Sequence, residues 1–246
     1  MADLYIVSTP IGNLGDLSQR AVEVLRSADR ILAEDTRRTA ILCRAYGIET
    51  PLRSSHEHNE AGRAEQAVAW LDAGETLALV TDAGTPVLSD PGARLVSRVV
   101  EAGHEVVPIP GASALLAALV GSGLPSEPFT FYGFLARSGR ERKERLAELE
   151  TLPHTAVVYE SPERLVALLE DPDRDVRIAA ARALGALEHS AARGALEGAI
   201  QGKRLRAADR SEKLVFFEAL GRIGGAGRCS PMSTSKVEFR QATLCG

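Results

Sequence analysis

Residues 80–92 read VTDAGTPVLSDPG, a loop with two aspartates, two glycines and two prolines that follows the apolar run LALV. Gly84 and Gly92 permit positive φ and a close backbone approach to a ligand. Pro86 and Pro91 stiffen the loop and lower the entropy lost in holding one shape. Asp82, at the strand end, is placed to accept hydrogen bonds from a ligand's ammonium group. The same spacing also fits a structural loop whose aspartates cap its own turns. Two further segments have a similar make-up. STPIGNLGD (8–16) contributes Pro10, Ile11 and Asn13. PIPGASALLAAL (108–119) turns at Pro110-Gly111 into a small-residue helix. Ser113 falls near that helix start, where free N–H groups favour a polar or anionic ligand group. Capping is the simpler role for Ser113 alone.

These loops need strands to carry them. Buried-strand patterns occur at 4–8, 30–34, 76–80, 105–109, 129–134 and 155–159, and helical stretches separate most of them. LSQRAVEVLRSA is amphipathic, with Asp16 as its expected N-cap, and EAGRAEQAVAWLDAG (60–74) places a glycine where a helix C-cap falls. The alternation predicts an α/β fold with a mainly parallel open sheet. In such sheets ligands lie beyond the carboxyl ends of the strands, which is where all three loops sit.

Composition narrows the chemistry. At 246 residues, 45% hydrophobic and 25% charged, the chain fits one large domain or two modest ones. It has no apolar run near the roughly 20 residues that span a bilayer, and its start does not read as a secretory signal. A cytoplasmic protein without a membrane role is expected. Three cysteines, at 43, 229 and 245, do not make a disulfide framework or a zinc site. Neither a P-loop nor a G-x-G-x-x-G after a strand is present, so a nucleotide-like ligand must be held in another way. Residues 1–170 carry 16 basic and 24 acidic side chains, whereas residues 171–246 carry 13 and 9. The acidic first part argues against sequence-blind nucleic-acid binding, while leaving room for a structured RNA met by a local basic patch.

STPIGNLGD, EDTRRT (34–39), SSHEHNE (54–60), VTDAGTPVLSDPG, PIPGASALLAAL and YESPERL (159–165) occur in that order. Together they resemble the tetrapyrrole-methylase-like, S-adenosylmethionine-dependent methyltransferases. Within that family they resemble the branch that methylates the ribose 2′-oxygen of a cytidine in small-subunit ribosomal RNA. The likeness covers about residues 3–168. It implies a two-domain α/β enzyme, a homodimer, with the donor S-adenosylmethionine between the domains. By position it puts Pro10 and Ile11 beside the donor, Asp82, Gly84 and Thr85 at its methionine end, and Ser113 and Ala114 opposite. Asn13, Arg37, Arg38, His56 and Glu160 fall on the substrate side, with ribosomal RNA in the small subunit as the partner.

Methyl transfer from a sulfonium to a hydroxyl is an in-line displacement, so alignment is the protein's main contribution. A general base would help a weak alcohol nucleophile, and Glu160, His56 and Asp90 are of suitable type. Each has a plain alternative: Glu160 caps the helix at PERL, His56 is a surface loop residue, and Asp90 closes its own turn. No catalytic base is assigned. The arginine-rich run 136–148 reads first as a solvated helix face.

From about Leu168 the pattern turns all-helical. LLEDPDRDVRIAAARALGAL is similar to a HEAT repeat, and SEKLVFFEALGRIGG to the end of such an array. The expected organisation is a methyltransferase domain over 1–167, a HEAT-like segment over 168–225 and a poorly ordered tail over 226–246. The family's second α/β domain is not recognisable, so half of the donor pocket should be absent and activity weak. A non-catalytic fusion whose helices bind a protein partner, and a tetrapyrrole acceptor, stay open as alternatives.

Overall fold

The computed structural model describes residues 3–56, 59–171, 174–186 and 192–223. Its first unit ends at Tyr159 and its second begins at Glu160. The first unit is built on five parallel strands: β1 (Asp3–Val7), β2 (Arg30–Ala33), β3 (Leu52–Ser54), β4 (Leu77–Val80) and β5 (Glu105–Ile109). Their spatial order is β3-β2-β4-β1-β5. All four residues of central β4 are buried. Ala78 and Val80 join the cluster formed with Val7, Leu25 and Ile31, where α1 (Gln19–Ser27) and α2 (Thr36–Tyr46) pack. Leu77 and Leu79 join Leu4, Ile6 and Leu32 on the opposite face, under α3 (Glu60–Asp72) and α4 (Ala93–Glu101). Burying one such leucine contributes about 1.5–3 kcal/mol, and the strand alternation divides that gain between both faces.

This arrangement places the site. β1 and β4 are neighbours, yet the chain leaves β1 through α1 towards β2 and leaves β4 through α4 towards β5. The two connecting helices lie on opposite faces, so a crevice opens at the carboxyl ends of β1 and β4, the usual ligand position in such sheets.

The strands expected at 129–134 and 155–159 form as β6 (Phe129–Phe134) and β7 (Thr155–Tyr159). They pair with each other in a separate parallel two-stranded sheet rather than extending the first. Between them runs α6 (Gly139–Thr151), which buries no residue. Its Arg140–Glu144 and Arg145–Glu148 pairs make it the solvated face expected there. Helix α5 (Ala114–Gly121) precedes β6. One expected cap is corrected. Asp16 lies in a 3-10 turn, and Ser18 caps α1 by accepting from the Ala21 N–H at 3.1 Å. Leu17 between them is drawn into the core, which delays the helix start.

The second unit is helical among its described residues: α7 (Pro162–Ala167), α8 (Arg174–Ala186), α9 (Arg193–Gln201), α10 (Lys203–Ala207) and α11 (Arg210–Ile223). Leu184, Leu196 and Phe216 form its buried centre. The buried pair Arg177–Glu212, at 2.7 Å, ties α8 to α11. The tail expected at 226–246 lies outside the described residues. No helix among the described residues is long and apolar enough to cross a membrane.

Candidate functional site

Four strand-end loops meet at the carboxyl rim of the five-stranded sheet. Leaving β1 and β4, Thr9 and Gly84 exchange two backbone hydrogen bonds, Thr9 N–H to Gly84 O at 2.8 Å and Gly84 N–H to Thr9 O at 3.0 Å. Gly84 holds φ at +93°, a conformation that favours glycine. The Thr9 hydroxyl donates to Thr81 O at 3.1 Å. Ser8 and Thr85 share a hydroxyl–hydroxyl bond of 3.0 Å, and the Thr85 hydroxyl reaches Ala112 O at 3.3 Å, drawing in the loop after β5. Gly111 lies so close to β1 that a Cβ there would meet Ser8 Cβ at 2.9 Å. These contacts bring the segments carrying Pro10, Ile11, Asp82, Gly84, Thr85, Ser113 and Ala114 to one rim.

Ser113 occupies the N-cap position of α5, but its side chain makes no capping bond. The Tyr159 hydroxyl accepts from the Leu115 N–H instead, at 3.1 Å. The capping role expected of Ser113 is thus filled by Tyr159. Ile11 is 37% exposed and abuts Gly84. Asn13 uses its side chain locally, accepting from the Gly15 N–H at 3.0 Å.

The rim is acidic, and much of that acidity comes from residues that sequence reasoning passed over. Glu34 and Asp35 follow β2 directly. The Thr81 hydroxyl donates to Glu34 Oε2 at 2.8 Å, and Asp82 Oδ1 accepts from the Asp35 N–H at 3.1 Å. Asp90 lies close enough to Thr81 for the hydroxyl to lower its pKa, against the larger effects that raise it. Burial first, and then Glu34 and Asp82, lift the Asp90 carboxyl from 3.8 to about 6. Burial and the Glu34 charge push Asp82 up too. Asp35 goes the other way, to about 2, because the Arg37 side chain and N–H both hydrogen-bond to it. The available signal was EDT at the end of a predicted strand, beside two other strand ends carrying Asp82 and Asp90.

Arg38 reaches Asp82 at 3.5 Å, and Arg37 pairs with Asp35 at 2.7 Å; both guanidiniums are largely exposed. His56 follows β3 at the same end of the sheet, and its N–H donates to Asn59 Oδ1 at 2.9 Å. Glu160 belongs to the second unit, where it accepts from the Ser161 N–H and pairs with Arg164, each at 2.9 Å. The N-cap of α7 is Ser161, so these contacts do not make Glu160 the cap given as its alternative. Among the described residues no group of three or more His, Cys, Asp or Glu could hold a metal ion.

The carboxylates Glu34, Asp82 and Asp90, crowded around one threonine, are mutually unfavourable. A cationic ligand relieves that repulsion, whereas an anionic one adds to it. The N-terminus of α4, a ready anion site elsewhere, is filled by this chain's own Glu60. Its Oε1 accepts from the N–H groups of Gly92, Arg94 and Leu95 at 3.1, 2.8 and 3.4 Å.

The family described as Tetrapyrrole (Corrin/Porphyrin) Methylases matches residues 3–199. Over 165 residues the chain is 50% identical to the Ribosomal RNA small subunit methyltransferase I of Bacillus subtilis (strain 168), covering 67% of this chain and 56% of that one. The protein of that name from Synechocystis sp. is 52% identical over 171 residues, covering 70% of this chain and 61% of its own. The chain thus spans under two thirds of the length of these relatives. The crystal structure of diphthine synthase is similar in fold, with a TM-score of 0.50 at 18% identity over 65% of this chain and 66% of that one.

Proposed function

The chain belongs to the tetrapyrrole (corrin/porphyrin) methylase family, and we propose that it takes part in methylating the ribose 2′-oxygen of a cytidine in small-subunit ribosomal RNA, with S-adenosylmethionine as donor. The observation that carries this reading is the carboxylate-rich rim, where the loops after β1, β2, β4 and β5 are tied together by hydrogen bonds. The donor set fits S-adenosylmethionine, which carries an ammonium and a sulfonium, both cationic. The identity of about half the aligned residues to proteins named for ribosomal RNA methylation supports the acceptor.

When bound, S-adenosylmethionine supplies an electrophilic methyl group. The chain's own residues align and bind. In this proposal Asp82 accepts from the donor's ammonium group, and Pro10, Ile11, Gly84, Thr85, Ser113 and Ala114 line the donor's side of the rim. Thr85 is oriented by Ser8 and by Ala112 O. Arg37, Arg38, Asn13 and His56 face the RNA. Because the sulfonium charge disappears as the methyl moves, an acidic surround favours donor binding over product retention. Asp90, Glu160 and His56 remain the groups of suitable type to accept the hydroxyl proton.

Two measurements test this. Calorimetry with S-adenosylmethionine should give a binding heat that Asp82→Ala abolishes; unchanged affinity in the variant removes Asp82 from the site. Tritiated methyl transfer to small ribosomal subunits, run beside a tetrapyrrole acceptor, should label only the RNA. Label in the tetrapyrrole alone overturns the acceptor.

A further inference from the structure

At the open edge of the sheet two guanidiniums sit together, and among the described residues neither has an acidic partner. Ile6, Leu79, Leu32 and Arg53 are register partners across β1, β4, β2 and β3. The first three are buried under α3 and α4, and the row ends on the edge strand in an exposed arginine. Arg63, on α3, is half-buried beside it. Its Nε donates to Ser54 O at 2.8 Å and its Nη1 to Gln66 Oε1 at 2.6 Å. Arg53 donates to Leu52 O at 3.1 Å. Every one of these acceptors is neutral, and among the described residues neither arginine is paired with a carboxylate. Arg63 also stands over the Trp70 ring at 5.6 Å, as does Arg30 at 4.7 Å. Arg30, however, is neutralised by Glu75.

One charge on an edge strand guards against edge-to-edge pairing. That does not account for a second, half-buried guanidinium beside it. Burial, and then the charge of Arg53, push Arg63 down from its ordinary value, so the pair is strained by its own repulsion. An anion bridging both relieves it, and the planar fork of arginine matches a phosphate. The place is informative as well. Ser54 pairs with Ala33, and the Ser55 N–H donates to Ala33 O at 2.7 Å. Arg63 therefore reaches the same rim at which Arg37 and Arg38 begin α2, one strand further out.

We infer that Arg53 and Arg63 form a phosphodiester-binding site for single-stranded RNA, continuing outward past Arg37 and Arg38 from the rim that holds Asp82. This rests on the RNA-methylation reading and names where the strand beside the target nucleotide runs. Trp70 and the α3 stem hold Arg63 in place, so the site is ready before RNA arrives.

The test is fluorescence anisotropy of a short labelled single-stranded RNA against salt, with the full chain and with Arg53→Gln/Arg63→Gln. Each phosphate contact to a single strand contributes a slope of about 0.7 in log K against log salt, so losing two should flatten it by about 1.4, or about 25-fold in affinity near 0.1 M salt. Arg63→Lys keeps the charge and should recover part of the loss, and circular dichroism melts of each variant check folding. The heat of S-adenosylmethionine binding should be unchanged in all of them. If the parent chain binds RNA and the double variant does so with the same slope, the site is refuted and the methylation reading stands. If the parent binds the donor but no RNA, the site is refuted, and the methylation reading is decided by label transfer to small ribosomal subunits. Displacement of the labelled RNA by polyglutamate as readily as by unlabelled RNA would overturn the phosphodiester assignment.

Discussion

Replacing Asp90 by asparagine separates charge from shape at the crowded end of β4. The Asp90 carboxyl sits about two units above its ordinary 3.8, chiefly through burial and then through Glu34 and Asp82. Each unit corresponds to about 1.4 kcal/mol, an upper bound near 3 kcal/mol. Partial solvent exposure reduces this to about 1–2 kcal/mol. The folded value is raised above the unfolded one, so the folded chain holds this proton more tightly. Below about pH 4 the group is protonated in both states and carries no penalty. Between about pH 4 and 6 the unfolded chain releases its proton first, and stability falls. Above about pH 6 the whole penalty applies. Asparagine, neutral throughout, escapes it. Asp90→Asn should therefore melt a few degrees higher than the parent near pH 8, and the gap should close by about pH 4. Thermal melts followed by circular dichroism across that range read the difference directly. The same variant should bind S-adenosylmethionine less well, since the repulsion it removes is what a cation would relieve. A variant less stable than the parent near pH 8, or a gap independent of pH, would refute the electrostatic account of this rim.

Glu60→Ala should leave three N–H groups at the start of α4 without their acceptor. The expected loss is about 2–3 kcal/mol, measurable by urea denaturation, and Glu60→Gln should restore part of it. Gly111→Ala would set a methyl 2.9 Å from Ser8 Cβ and 3.3 Å from Ser8 O. Spreading the β1 and β5 loops should cost about 1–3 kcal/mol and weaken donor binding in calorimetry. An alanine variant with parental stability and affinity would mean that this close approach is not needed.

Six of the seven strands were legible because each is an apolar run bounded by turn residues. The missed strand, β3, is three residues long at the sheet edge, with Arg53 exposed between two half-buried neighbours. It has no run of apolar residues to detect, and its pairing with β2 arises from tertiary structure. The division into a five-stranded and a two-stranded sheet was equally hidden, since hydrophobic pattern marks a strand and not its neighbour. At the site, Gly and Pro spacing revealed the loops after β1, β4 and β5. The acidic centre did not show, because Glu34 meets Thr81 and Asp82 across 47 and 48 positions. That meeting exists only through the parallel pairing of β2 with β4. Arg53 and Arg63 escaped too, because Arg53 lies on a strand too short to recognise and Arg63 comes ten positions later, on α3.

The backbone clasp between Thr9 and Gly84 has a mechanical consequence. With both N–H groups engaged, neither loop can swing without dragging the other; the Thr9 hydroxyl also holds Thr81 O, and the Thr85 hydroxyl is bonded to Ser8. A molecule that presses on one lip of the crevice therefore shifts the opposite lip too. The two lips at the carboxyl ends of β1 and β4 are thus clasped as one unit.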